Sequence, residues 1–268
     1  MSKFESVSKP LTWFMALLLA AVVAGCGGSD ETAQPPGASV GPTGGVCTGT
    51  GCVNLGTAGN YAILAQTGVA SVPNSVVTGH IGLSPAARTG LTGWSLISEP
   101  TDTAYTSAQV SGRLYAADMV GGTTSVDLTT AVGDMGTAYT TANGGAAGAA
   151  CPGTGNLGGL SITAGVYDCA VNVGIATSTT LTGPGVFVFR ITGNLTQAAA
   201  TQVNLTGGAV AQNVFWVVSG SVDIGTTATM KGVILGQTAI NVGTLATVNG
   251  RLLAQTAVNL DQATVTVP

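Results

Sequence analysis

A chain of 268 residues with only 7% charged and 5% aromatic side chains, and with 41 glycines, departs strongly from average globular composition. The formal net charge of -4 and the absence of any basic cluster argue against nucleic acid as a partner. No internal run reaches the ~20 consecutive apolar residues that a spanning helix needs; the apolar residues are spread through short alternating segments, as in a chain of many half-buried strands.

The first residues carry a targeting pattern. Lys3 and Lys9 give a basic start, and Leu11 to Val23 form an apolar stretch too short to span a bilayer comfortably. It ends in Val23-Ala24-Gly25-Cys26, which resembles the lipobox of bacterial lipoproteins. The resemblance implies that residues 1–25 are a lipoprotein signal peptide, cleaved before an acylated Cys26. Gly27 in the next position favours the outer membrane or cell surface as destination. Several acyl chains at ~0.8 kcal/mol per buried CH₂ would hold such a protein stably on a membrane. Residues 26–46 are rich in Gly, Pro, Ser and Thr and read as a flexible, lipidated tether to a domain at 47–268.

Four further cysteines follow: Cys47, Cys52, Cys151 and Cys169. An even number in an exported chain suggests two disulfides, with three possible pairings. The local pairs Cys47–Cys52 and Cys151–Cys169 are expected. Zinc would need a different spacing and a nearby histidine, so no metal and no cofactor is expected.

The first strands are Tyr61-Ala62-Ile63-Leu64-Ala65 and Ser75-Val76-Val77-Thr78-Gly79-His80-Ile81-Gly82, and Leu91 to Thr103 reads as irregular. A helical insert is expected at about 104–142. Ala104, Ala108, Leu114, Tyr115 and Ala117 suit a first helix, weakened by Gly112. The stronger helix is Val126 to Thr141, with Leu128, Ala131, Val132, Met135, Ala138 and Tyr139 on one stripe. Asp127 sits in its first turn, where a carboxylate is favoured, and Asn143-Gly144-Gly145 stops it. The consecutive apolar residues Phe215–Val218 and Val233–Leu235 supply a wall for the helix, because such runs are buried on both faces.

From Phe215 onward the chain repeats every eighteen residues: FWVVSGSVDIGTTATMKG, VILGQTAINVGTLATVNG, RLLAQTAVNLDQATVTVP, the last one residue shorter after Gln262. Val222, Ile240 and Val258 form one column; Ile224, Val242 and Leu260 form another. Val171 and Val173 are expected to extend these columns backward, with Leu195 continuing the first. Val188-Phe189 correspond to Phe215-Trp216, with an insert around Leu205 to Gln212. Three short strands per repeat make one turn of a parallel β-helix, and about six turns are expected in all.

These stretches resemble the secreted microbial ice-binding (antifreeze) proteins. The matches are Leu55-Gly56 with Tyr61 to Ala65, Val77-Thr78-Gly79-His80-Ile81-Gly82 with Ser84-Pro85, Gly165-Val166-Tyr167, and Gly185 to Phe189. Asn213-Val214-Phe215-Trp216 and Gly250-Arg251-Leu252-Leu253-Ala254 complete them. The resemblance implies an all-β solenoid: a right-handed, discontinuous, three-faced parallel β-helix with one long α-helix packed alongside. It also implies that the ligand is the ice crystal surface, met by one flat face. Some members carry Thr-(Ala/Gly)-x-(Thr/Asn) on that face, and the third strands here read Thr226-Thr227-Ala228-Thr229, Thr244-Leu245-Ala246-Thr247 and Gln262-Ala263-Thr264. The expected ice-binding residues are therefore Thr226, Thr229, Thr244, Thr247 and Thr264.

An enzyme would need clustered carboxylates or a nucleophile motif. Asp223 and Asp261 have no close partner in sequence, His80 lies on an alternating strand, and no GxSxG, HExxH or P-loop occurs. A cell-surface adhesin or polysaccharide-binding β-helix module is the alternative reading. Such modules often display aromatics, whereas the few aromatics here sit in apolar runs. A non-enzymatic monomer, exported and lipid-anchored through Cys26, is expected.

Overall fold

The computed structural model describes residues 51–268. The stretches expected to be a signal peptide and a tether, with Cys26 and Cys47, lie outside the described residues. The N-terminal part holds β1 (Tyr61–Ala65), β2 (Gly68–Val72), β3 (Val76–Thr78), β4 (His80–Leu83), β5 (Leu91–Thr92), β6 (Ile97–Ser98), β7 (Tyr105–Ser107) and β8 (Val110–Ala116). The helix α1 (Thr124–Asn143) follows, then β9 (Ala149–Ala150), β10 (Ser161–Cys169), β11 (Val173–Ile175) and β12 (Thr179–Ile191). The remaining strands are β13 (Leu195–Gln197), β14 (Val203–Thr206), β15 (Val214–Val218), β16 (Val222–Ile224), β17 (Thr229–Gly236), β18 (Ile240–Val242), β19 (Thr247–Ala254), β20 (Ala257–Asp261) and β21 (Thr264–Thr266).

Each repeat places strands on three faces and pairs in parallel with the next repeat. The first face is built from β15 and the second halves of β17 and β19, where Trp216, Ile234 and Leu252 stand in register. On the second face Val222, Ile240 and Val258 pair, as do Ile224, Val242 and Leu260, which is the eighteen-residue period read from the sequence. The third face carries the first halves of β17 and β19, then β21. Between third and first face the chain turns at Gly232, whose φ is 116°. Gly250 lies beside it in register, and a Cβ there would sit 1.8 Å from the Gly232 carbonyl oxygen. Only glycine fits.

The N-terminal strands do not extend the start of the repeats. They stack on the end, with β1 on β19, β2 on β20 and β3 on β21. The second face thus gains a seven-strand order β11-β13-β16-β18-β20-β2-β5, one more than the six turns expected.

First-face strands are buried on both sides, all five residues of β1 and of β15 included. One side forms the interior; α1 covers the other with Leu128, Ala131, Met135, Ala138 and Tyr139. The Tyr139 hydroxyl lies 2.8 Å from Ser219 Oγ, tying the helix to the chain just after β15. Arg190 Nε donates to the Ala142 carbonyl at 2.6 Å, satisfying a C-terminal helix acceptor where positive charge is favourable. At the middle of α1, the Asp134 carboxylate accepts from both Thr57 N and Thr57 Oγ1 at 2.7 Å. The helix expected at Val126–Thr141 is therefore present and slightly longer.

The first expected helix is absent. Residues 105–116 form β7 and β8, an antiparallel pair in which Val110 meets Ser107 and Leu114 meets Tyr105. Leu114, Tyr115 and Ala116 are buried consecutively because β8 also pairs with β4, and consecutive burial belongs to a two-sided strand. The extension of the columns also shifts by two residues. Val173 pairs with Leu195 in the first column and Ile175 with Gln197 in the second, while Val171 is 47% exposed.

Cys151 and Cys169 are bonded, Cα atoms 4.7 Å apart and 18 residues apart in sequence. On the chain-entropy account a loop of that size contributes ~3 kcal/mol. Cys52 is also disulfide-bonded.

The corner geometry gives a paired test. Gly250→Ala should destabilise by about 3 kcal/mol or more, because backbone blocks the new methyl. Gly174→Ala, whose Cβ would meet no atom within 4 Å, should leave the melting midpoint unchanged or slightly higher. Equal effects in thermal melts would overturn the close-approach argument.

Candidate functional site

The third face presents a regular outward surface. Its strands alternate, so Met230, Val248, Val265 and Val77 point inward and are fully buried. The residues between them form two outward files. Thr229, Thr247, Thr264 and Val76 are the first; Lys231, Asn249, Thr266 and Thr78 are the second. Across the strands the spacing is ~4.8 Å, and along each strand the two files are ~6.7 Å apart.

The face extends further than the sequence repeat revealed. Ser161 and Thr163 pair with Thr180 and Thr182, which in turn pair with Asn204 and Thr206. Their inward neighbours Ile162, Leu181 and Val203 belong to the core, apart from Leu205, which is half-buried. These six outward positions carry the same Thr, Ser and Asn chemistry. They escaped the sequence reading because Gly183-Pro184-Gly185 and the residues after Thr206 break the eighteen-residue period.

Of the five threonines expected to act together, Thr229, Thr247 and Thr264 share one file. Thr226 and Thr244 do not lie in it. They occupy the corner before the third face, each followed by a residue with left-handed backbone: Thr227 at φ 57° and Leu245 at φ 58°. Gln262 at 46° and Ala200 at 58° hold the same place in their repeats. The next residue then turns inward, as Ala228, Ala246 and Ala263, all fully buried. The Thr-x-x-Thr spacing thus straddles a bend. The Thr244 hydroxyl is turned to the second face, where it donates to the Asp261 carboxylate.

The second face differs in kind. The three-residue strands β13, β16 and β18 point only their middle residue outward, and with Asn259 of the longer β20 these make one continuous file: Thr196, Asp223, Asn241 and Asn259. Asn259 Nδ2 donates to Asn241 Oδ1 at 2.9 Å, and Asn241 Nδ2 donates to Asp223 Oδ1 at 2.8 Å. Ser221 Oγ donates to the other Asp223 oxygen at 3.0 Å. The ladder lies in an open trough of ≈ 450 Å³, with its polar groups engaged with one another.

No group of three His, Cys, Asp or Glu side chains able to hold a metal occurs among the described residues. His80 is half-buried, accepts from the Arg113 backbone N–H at 3.1 Å through Nδ1, and lies 5.7 Å from the Tyr115 ring. It packs.

Residues 63–266 match the family model for Ice-binding-like proteins. The chain belongs to that family. It is 49% identical over 198 residues to ice-binding protein K1-A of Typhula ishikariensis, covering 71% of this chain and 79% of that protein. An ice-binding protein of Flavobacterium frigoris is 39% identical over 227 residues, covering 81% of this chain and 76% of that one. Among solved structures, a glycosylated ice-binding protein (LeIBP) from an Arctic yeast superposes with a TM-score of 0.79 at 39% identity, covering 81% of this chain and 94% of that chain. The family's β-rich architecture with one helix and parallel strands is therefore shared by this member.

In this member of the ice-binding-like family the left-handed corner is occupied by side chains that resist it. A branched apolar residue at positive φ costs about 1–2 kcal/mol, whereas Asn tolerates that backbone. Leu245 is 61% exposed, so little packing is lost on replacing it. Leu245→Asn should raise the melting midpoint by ~2–4 °C, the shift expected for about 1 kcal/mol in a domain of this size. A lower midpoint in calorimetry would mean that the Leu245 side chain contributes more than its backbone costs.

Proposed function

We propose that this chain is an ice-binding protein that adsorbs to ice through its third face and so restrains ice growth and recrystallisation. The observation that carries the assignment is the in-register file Thr229, Thr247 and Thr264, flanked by Asn249, Thr266 and Thr78 in a second file. A lattice is recognised by a lattice. Backbone pairing sets the spacing of these groups, and the β-branched χ1 of Thr holds each methyl and hydroxyl with little rotamer entropy left to lose. A surface of this composition orders water without the strong hydration shells that charges impose, and Lys231 is the one charged residue in the two files.

Binding, not catalysis, is the assigned activity. Asp223 and Asp261, the carboxylates of the last three repeats, are engaged by Ser221, Asn241 and Thr244. The fold assigned is a right-handed, discontinuous, three-faced parallel β-helix; the parallel pairing of repeats and the seating of β1, β2 and β3 on the last repeat support it. The protein is assigned as a monomer.

Thr247→Tyr tests the face. Thr247 is exposed at the middle of its file, so a ring there holds an ice front away from the neighbouring threonines. Stability should change by no more than ~0.5 kcal/mol, as for an ordinary surface site. Inhibition of recrystallisation should fall several-fold. Thr196→Tyr, exposed on the second face, should leave it nearly intact. Loss of activity in the Thr196 variant alone would move the binding face to the second sheet; a wild-type domain with no effect on ice growth would refute ice binding itself.

The pattern Val23-Ala24-Gly25-Cys26 supports export and anchoring to the outer membrane or cell surface through lipid on Cys26. Cys26→Ser should move the protein from the membrane fraction to the soluble fraction with an unchanged melting curve. Wild-type protein recovered unacylated from the medium would rule the anchor out.

A further inference from the structure

The third face consists of two plates. Ser161–Thr163, Thr180–Thr182 and Asn204–Thr206 form one, held by continuous strand pairing. The strands β17, β19, β21 and β3 form the other. No strand ladder joins them, since β14 pairs with β12 alone. Strand pairing between the plates on this face shrinks to one isolated bridge, Gln202 to Thr229, with Thr229 N donating to the Thr201 carbonyl at 2.8 Å.

Directly beneath that join lies Gln197. It is 2% exposed and occupies the second apolar column, where the adjacent repeats place Ile175 and Ile224. Its Nε2 donates to the Thr201 carbonyl at 3.1 Å and to the Thr229 carbonyl at 3.2 Å, one acceptor on each side of the join. Its Oε1 is buried without a partner. A half-satisfied amide in an apolar column is a local cost, because an unpaired buried acceptor loses its hydration. An aliphatic side chain, as in both neighbouring repeats, would fill the column without that cost. The two carbonyl contacts are what the amide adds.

We propose that Gln197 is a positioning residue for ice binding: its side-chain amide fastens strand β17 to the segment leading into β14 and keeps the two plates in one plane. The role rests on the assignment of the third face to ice. Freed from the amide, the plates remain folded and joined through β12, β15 and β17 on the first face, but their third-face edges tilt at the single bridge. An extended ice plane then contacts one plate at a time.

The test is Gln197→Leu, with Gln197→Met as a second apolar variant of similar length. The melting midpoint should hold or rise, since the unpaired acceptor is removed. Hydrogen exchange at the Thr229 amide should accelerate about fivefold, the effect of losing one typical hydrogen bond, while amides at Val242 and Leu260 stay unchanged. Recrystallisation inhibition should fall several-fold. The ice planes decorated by fluorescently labelled protein on a single-crystal hemisphere should change in extent, a readout that loss of stability does not produce. Full activity and unaltered planes in both variants would overturn the proposal. So would a large fall in the midpoint of both, because Gln197 would then be a determinant of the fold. Failure of the ice-face assignment looks different: the wild-type domain would itself be inactive.

Discussion

The structure depends on how the ends of a stack of parallel strands are closed. Every repeat exposes unpaired backbone groups at both edges until another strand covers them, and bare edges invite association. Here the chain covers its last repeat with its own first strands, β1 on β19, β2 on β20 and β3 on β21. That choice forces a return path. After β8 the chain must travel back along the stack to begin β10, and the first face runs β8-β4-β1-β19-β17-β15-β12-β10, a climb of about 34 Å at ~4.8 Å per strand. A helix of 20 residues spans about 30 Å. The length of α1 is thus set by the height of the stack. Its apolar stripe covers the strands it passes, so the connection and the lid are one element. Thr57 fastens it at Asp134 and Arg190 at Ala142. The buried Arg251 completes the closure from the last repeat, donating to the Gly59 carbonyl at 2.8 Å.

The alignment of the third-face strands follows from the two corners that flank them. On one side the chain bends at Gly232 and Gly250, where no side chain fits. On the other it bends through left-handed residues in successive repeats, none of them glycine. Repeating the same strained turn in register starts each third-face strand at the same height, which aligns Thr229, Thr247 and Thr264. Aromatic packing inside supports the alignment: Tyr167, Phe189 and Trp216 stack with centroids 5.3 and 4.5 Å apart. Trp216 Nε1 then donates to the Lys231 carbonyl at 3.0 Å, bracing the third face from within.

Much of this was legible in the sequence, for identifiable reasons. The eighteen-residue columns gave the register of the last repeats because every repeat there has the same length. The long helix was legible from its stripe, since apolar residues at helical spacing have few other uses. The short stretch before it misled: Ala104, Ala108, Leu114 and Tyr115 fit a helical period by accident, and the consecutive burial of Leu114, Tyr115 and Ala116 comes from a pairing with β4 that no local pattern announces. The first plate was hidden by insertions that shift the period. The corner was hidden too. Thr226 and Thr244 share a spacing with Thr229 and Thr247, but the left-handed residue between the members of each pair leaves Thr226 and Thr244 at the corner, outside the file of Thr229 and Thr247. Gln197 was unreadable as a core residue because a polar side chain in an apolar column looks like a break in the column.

The chemistry of the molecule is distributed in a way that fits adsorption to a surface. Groups with displaced pKa values gather where the stack is closed and braced. Side-chain hydrogen bonds from Arg88 lower Asp102; at Asp118 burial pushes upward, but separate bonds from the Arg88 backbone N–H and Nε bring the carboxyl below its ordinary value. Burial raises the Tyr115 hydroxyl to about 12 and lowers the Arg251 guanidinium. These residues hold β4, β8 and the last repeat together. An active site would concentrate such groups in a cleft, since chemistry at neutral pH needs shifted acids and bases. A face that must match a crystal needs neither charge nor cleft. It needs neutral groups at fixed intervals, and the backbone ladder supplies the intervals at no cost in side-chain order. On the proposed ice face, regularity itself would do the recognition.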